Sequence, residues 1–154
     1  MTAAIEATLA ELGLSLPEAA APVAAYLPVV ESGGLLHISG QLPFLDGAVM
    51  TGRLGEDRDL AFGQRAAQAC ALMVVAQVKR ALQGDLSRVS RIVKLGVFVN
   101  SAPGFIEQPK VANGASELME SLFGDSGRHA RSAVGVTVLP LGAAVEIDAI
   151  VAIT

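Results

Sequence analysis

The sequence predicts an α+β sandwich, a mixed β-sheet with two long helices packed on one of its faces. Three observations lead there. Valines and isoleucines recur at every second position in Arg131–Thr154 and again in Arg88–Asn100, the mark of half-buried strands. An alanine-rich stretch from Asp59 to Leu82 and an amphipathic one from Gln108 to Phe123 read as helices. The resulting order of strands, helix, strand, helix, strands places the helices on one sheet face and leaves the other bare.

Each element has a local cause. Residues 2–12 form a short helix with Ile5, Leu9 and Leu12 on one stripe, ended by Gly13 and Pro17. Residues 17–25 are a Pro- and Ala-rich connection. A first strand runs from Leu27 to Glu31, with Pro28 suiting an edge or a bulge. Ser32-Gly33-Gly34 turns it into Leu35–Gly40, which Gln41-Leu42-Pro43 leaves. A further short strand lies at Ala48–Thr51. Asp59 caps the first long helix and Gly84 closes it. Ser101-Ala102-Pro103-Gly104 breaks the central strand, and Gly124–Gly127 leads to the C-terminal strands. These are expected to form a hairpin around Pro140–Ala143 in which Leu139 faces Ala144. One face then carries Val134, Val136, Val138, Val145, Ile147, Ala149 and Val151, and the other Arg131, Ala133, Gly135, Thr137, Glu146 and Asp148.

The 154 residues suit a single domain, 1–154, in which 1–21 form an N-terminal extension. Apolar content is 52% and the net charge is −4. The acidic balance and lack of a basic cluster argue against nucleic acid as a partner. No apolar run is long enough for a membrane span, and the N-terminus does not read as a secretory signal. Cys70 is the one cysteine, which points to a cytoplasmic protein without disulfides. In its alanine-rich helix it is expected to be a buried small hydrophobe. His37 and His129 stand apart, so no metal site is expected.

Chemistry concentrates on Arg131 and Glu146. Arg131 offers a planar fork for a carboxylate, and Glu146 an acid or base. In the expected hairpin they lie about 20 Å apart, at ~3.4 Å per residue. One small substrate cannot bridge that distance within a chain, so either the two groups serve different purposes or, the reading favoured here, a neighbouring subunit completes the site. The bare sheet face and the high apolar content agree with an oligomer.

Three spaced motifs carry a resemblance over roughly residues 22–154. Arg131-Ser132 followed by Val134, Val136, Leu139-Pro140 and Val145-Glu146-Ile147 is similar to the C-terminal signature of the YjgF/RidA family. Leu36–Pro43 resembles its SGQ-P strand end, and Phe98-Val99-Asn100 its third landmark. The resemblance implies a chorismate-mutase-like fold, a homotrimer and ligand clefts between subunits. It implies hydrolysis of reactive enamines and imines such as 2-aminoacrylate to 2-keto acids and ammonia, without metal or organic cofactor. Arg131 would bind the substrate carboxylate and Glu146 would position or activate water. Ser39, Gly40 and Asn113 would line the cleft, with Tyr26 as an approximate match for the family's N-terminal tyrosine. Ala133 stands where many members carry cysteine, which removes thiol chemistry there. The N-terminal helix and Glu107–Lys110 resemble a longer branch of the superfamily. The alternative is a trimeric binding protein for small carboxylates that performs no turnover. Ribonuclease activity, attached to some relatives, fits the acidic charge poorly.

Overall fold

The computed structural model describes residues 1–21 and 25–154; the 22–24 part of the 17–25 connection lies outside the described residues. Five strands build the main sheet: β1 (Val29–Ser32), β2 (Leu35–Gln41), β5 (Val89–Asn100), β6 (Ala130–Val136) and β7 (Val145–Ile153). A two-stranded hairpin, β3 (Phe44–Leu45) and β4 (Ala48–Val49), stands beside it. Helices α1 (Thr2–Glu11), α2 (Leu60–Ala81) and α3 (Gln108–Phe123) complete the chain. Sheet order is β1-β2-β7-β5-β6, with β5 and β6 parallel and the other neighbours antiparallel. Because β2 and β5 both run antiparallel to β7, they run parallel to each other. The chain therefore makes two crossovers, β2-α2-β5 and β5-α3-β6, as parallel strands require.

The helices begin and end for local reasons. The Asp59 carboxylate accepts a hydrogen bond from the Phe62 N–H (2.8 Å) at the start of α2. Lys79 and Arg80 lie in its last turn, where the helix dipole favours cations. In α3, Pro109 occupies the first turn, where its missing N–H costs nothing. Ile5 and Leu9 of α1 are buried as the periodicity predicts, but Leu12 lies past the helix end and is 49% exposed.

One layer of the core is α2 and α3; the other is the sheet face beneath them. Leu36, Ile38, Ile92, Leu95, Val97, Val99, Val145, Ile147, Ala149 and Val151 all point into it. Cys70 is buried there as a small apolar group, its thiol against the Val145 carbonyl (3.5 Å). Burial, and after it the Glu146 charge, push that thiol well above its ordinary pKa, which disfavours the thiolate. The α+β class and the two long helices on one sheet face are as the sequence predicts.

The C-terminal hairpin does not form. β6 pairs with β5 through Leu95↔Arg131 and Val97↔Ala133, while β7 lies between β2 and β5. The α3 crossover delivers β6 to the outer edge of β5 in parallel, and β7 fills the slot on the far side. Residues 137–144 carry the chain past the end of β5, turning at Leu141 and Gly142, both at positive φ. The predicted common face is therefore wrong. Val134 and Val136 lie on the uncovered face of the sheet, and Arg131, Ala133 and Gly135 on the helix face. The strand expected at Leu27–Glu31 starts later, after Pro28, at Val29.

Close helix–helix packing gives a direct test of this core. A Cβ at Gly114 of α3 would collide with the backbone carbonyl of Gln64 in α2, which cannot yield as a flexible side chain would. Gly114→Ala is expected to lower stability by about 1–3 kcal/mol despite alanine's better helix propensity, seen as an earlier urea midpoint. An unchanged or later midpoint would show that the helices are not in contact at this point.

Candidate functional site

Side chains alternate across a strand, and the registers sort the candidate residues onto two faces. On the uncovered face the cross-strand rows read His37–Ile150–Lys94–Ala130, then Asp148–Gly96–Ser132, then Glu146–Phe98–Val134, then Asn100–Val136. On the helix face, Arg131 shares a row with Leu95 and Ala149, and Ala133 with Val97 and Ile147. Arg131 and Glu146 thus lie on opposite sides of one sheet. The shared charged face expected from the hairpin is replaced by two half-sites.

The first half-site is built on β6 and α3. Arg131 Nη1 donates to Asn113 Oδ1 (3.0 Å) and Ser116 Oγ (3.1 Å), and Nη2 to the Pro109 carbonyl (3.2 Å). β6 is the sheet's outer strand, so the guanidinium reaches beyond the core while α3 fixes it. Among the described residues no carboxylate pairs with Arg131. A full positive charge held only by neutral acceptors is suited to an incoming anion. Ser116 Oγ also meets His129 Nε2 (2.9 Å), and His129 Nδ1 meets the Gly127 carbonyl (2.6 Å). Arg131 and Asn113, chosen from the sequence, are thus brought together. Ser116 was missed, although its place three residues after Asn113 puts both on one helix face.

The second half-site is on the uncovered face. Between Ile38 and Gln41 the β2–β7 register slips, and Ser39-Gly40 form the irregularity. Gly40 lies against the Glu146 carboxylate; a Cβ there would collide with Oε1. Gly96 of β5 makes the same kind of room for Asp148. Each carboxylate of β7 therefore lies over a glycine of a neighbouring strand. Burial first, and Asp148 second, hold the Glu146 carboxyl above the usual glutamate range. Ser39 Oγ donates to the Leu27 carbonyl (2.7 Å), tying the irregular stretch to the segment after Tyr26. Tyr26 itself is 46% exposed. A cavity of ≈ 360 Å³ adjoins this half-site, bordered by His37, Ser39, Lys94 and Asp148. A larger one of ≈ 1310 Å³ lies elsewhere, between residues 13–21, the β3–β4 turn and α2.

One residue near this half-site escaped the sequence reading. Arg53 Nε donates to Asn100 Oδ1 (3.3 Å) and Nη2 to the Thr137 carbonyl (2.7 Å). Asn100 is buried and also donates to the Ala143 carbonyl (3.3 Å). The signal available was the alternation Arg53-Leu54, with Leu54 wholly buried and its neighbour therefore turned outward. Among the described residues no group of three His, Cys, Asp or Glu side chains could hold a metal ion, and no helix is long and apolar enough to cross a membrane.

Comparison with known proteins places this arrangement. A family model described as "YjgF/chorismate_mutase-like, putative endoribonuclease" matches residues 6–151. The chain belongs to the YjgF/RidA family. Within that family it is 59% identical over 149 residues to Protein TCP17 of Trypanosoma cruzi, covering 96% of this chain and 92% of TCP17. It is 28% identical over 142 residues to the 2-iminobutanoate/2-iminopropanoate deaminase of Dermatophagoides farinae, covering 91% and 94% of the two chains. The crystal structure of Atu1372 from Agrobacterium tumefaciens superposes with a TM-score of 0.95 at 52% identity, over 99% of this chain and 94% of that one. The YjgF/RidA fold is the chorismate-mutase-like sandwich described above.

The environment of Glu146 predicts a pH signature. A folded-state pKa above the unfolded one contributes stability that is complete below the ordinary glutamate range. That stability is lost as pH rises through the raised value. Glu146→Gln removes the penalty of ionising this group. The variant should melt above the wild type at pH 7–8, with the difference vanishing below about pH 4. Equal melting temperatures at both pH values would mean that Glu146 is solvated like any surface glutamate.

Proposed function

We propose that this protein hydrolyses reactive 2-imino and 2-enamino acids, of the 2-aminoacrylate type, to 2-keto acids and ammonia, in clefts between the subunits of a homotrimer. The observation that carries the reading is the split of the candidate residues. Arg131, on the helix side of the outer strand, has no carboxylate partner among the described residues, and Glu146 stands on the bare face. Neither half-site is sufficient alone. Packing the uncovered face of one subunit against the β6 edge of the next would join them. Val30, Val134 and Val138, exposed in the single chain, are apolar groups that such packing would cover.

The chemistry asks for an anchor, a water and a group that moves a proton. Arg131, with Asn113 and Ser116 fixing it, holds the substrate carboxylate. An enamine enters as its imine tautomer, a proton added at C3 as one leaves nitrogen; water then adds to C2 of the imine, forming the C–O bond as the C=N π pair moves to nitrogen. Glu146 takes the water proton and delivers it to that nitrogen, giving the carbinolamine. The C–N bond then breaks, the hydroxyl proton is transferred to nitrogen, and ammonia leaves the keto acid. A carboxyl with a raised pKa is suited to both directions of transfer. Ser39 and Gly40 border the cleft beside Glu146, and Tyr26 and Ala133 lie at its margins. The mite deaminase supports the substrate class only through its name and its 28% identity.

The test is release of pyruvate from 2-aminoacrylate generated in situ. Wild-type protein should accelerate it over buffer. Glu146→Gln should lower the rate by about 10²–10⁴-fold while leaving carboxylate binding measurable. Arg131→Met should act mainly by weakening binding, by roughly 10–100-fold for a lost charged hydrogen bond. If wild type gives no acceleration with any imino acid but binds keto acids, the protein is a carboxylate-binding trimer instead.

A further inference from the structure

Resting on the reading that Arg131 holds the substrate carboxylate, we infer that His129 is a positioning residue for it: acting through Ser116, the imidazole fixes which edge of the Arg131 guanidinium faces the anion.

Donor and acceptor chemistry orders the contacts. His129 Nδ1 lies 2.6 Å from the Gly127 carbonyl oxygen. A carbonyl only accepts, so Nδ1 carries the proton. In the neutral ring Nε2 is then an acceptor, and the Ser116 hydroxyl donates to it (2.9 Å). With its proton committed there, Ser116 Oγ meets Arg131 Nη1 (3.1 Å) as an acceptor. Asn113 Oδ1 takes the other Nη1 hydrogen (3.0 Å), and the Pro109 carbonyl takes one from Nη2 (3.2 Å). Nη1 is thereby saturated. The donors left without a partner among the described residues are Nε–H and the second Nη2–H. They mark the edge that an incoming carboxylate meets.

Ser116 departs from the usual habit of a helical hydroxyl, which turns back to the carbonyl four residues earlier. Thr8 of α1 does so to Ala4 (3.0 Å), and Ser121 of α3 to Glu117 (2.8 Å). Ser116, in the same helix as Ser121, is turned instead to His129 and Arg131. Without the imidazole its corresponding acceptor is the Ala112 carbonyl. A Ser116 turned to Ala112 takes Oγ away from Nη1 and frees the guanidinium to tilt.

The fold holds the ring in place. Gly127 packs on α3 so closely that a Cβ there would strike the Met119 carbonyl. Its own carbonyl is therefore fixed beside the helix that carries Ser116. Arg91 Nη1 of β5 donates to the Asp125 and Arg128 carbonyls (3.3 and 3.0 Å), and Arg128 Nε to Glu120 Oε1 of α3 (2.9 Å). The chain is thus tied on both sides of Gly127, and His129 sits half-buried between that turn and β6.

Two measurements test this. In nitrogen NMR of histidine-labelled wild type at alkaline pH, the neutral His129 ring should be the Nδ1–H tautomer. His37 is the other histidine of the chain, and either His37→Gln or His129→Gln assigns the signals. The Nε2–H tautomer would overturn the inference. Second, binding of 2-oxobutanoate, a non-reacting keto acid, is followed by titration calorimetry on the intact protein. His129→Leu should weaken it about three- to tenfold, the value of one hydrogen bond, and Ser116→Ala should do the same. The double variant should be no weaker than either single one, because both break the same chain of contacts. His129→Gln, whose amide oxygen can accept from Ser116, should keep most of the wild-type affinity. In turnover, the His129→Leu loss should fall on KM rather than kcat. A ring that only braces the loop would give additive losses and would not be replaced by glutamine; that result, or unchanged affinity in His129→Leu, contradicts the inference. Imine hydrolysis accompanied by additive losses removes this inference alone. Non-additive losses without hydrolysis of any imine remove the deaminase reading alone.

Discussion

Strict alternation of side chains across the sheet is the constraint on which everything else rests. Five strands with one face under helices leave each residue a choice of two environments. The register of β6 against β5 sends Arg131 toward α3. The register of β7 against β5 sends Glu146 to the uncovered side. The core depends on the same alternation: Val145, Ile147, Ala149 and Val151 are buried because Glu146 and Asp148 are not. Slipping β7 by one residue would bury two carboxylates and expose the centre of the core.

Glycines decide how the acidic side works. Strand glycines ordinarily weaken a sheet. Here Gly40 and Gly96 are the surfaces on which the Glu146 and Asp148 carboxylates lie. Packed against Gly40, the Glu146 carboxyl is partly withdrawn from water, and its pKa rises for that reason before any effect of Asp148. The basic side is constructed oppositely. Arg131 is fixed by three neutral oxygens and has no counter-charge among the described residues. One half-site holds a proton more readily than usual, the other an unanswered positive charge.

Much of this was legible in the residues. The alternation of valines and isoleucines, the Asp59 cap and the alanines of α2 lead directly to the right class and helices. The choice of Arg131, Glu146, Gly40 and Asn113 came from motifs, and the structure puts Arg131 beside Asn113 and Glu146 beside Gly40. Strand partnership was not legible. Pro140–Ala143 looks like a hairpin turn because local sequence shows that the chain reverses, and says nothing of a third strand inserted between the arms. Whether β6 sits on β7 or on β5 is decided by the α3 crossover and by β7 having both edges occupied. That error carried Arg131 to the wrong face. Arg53 was passed over because it lies in a loop with Glu56 and Asp57 nearby, a pattern that reads as solvated charge. Only the placement of Leu54 at the end of β5 turns it toward Asn100.

Complementation between impaired variants tests the divided site most directly. Arg131→Met and Glu146→Gln chains, each impaired alone at low substrate concentration, are mixed by co-expression and the mixed oligomers purified by two affinity tags. If each cleft takes its guanidinium from one chain and its carboxyl from the next, some clefts in a mixed particle are intact and imine hydrolysis returns. If both groups serve from a single chain, or the protein is monomeric, the mixture stays as impaired as its components, and the account is wrong.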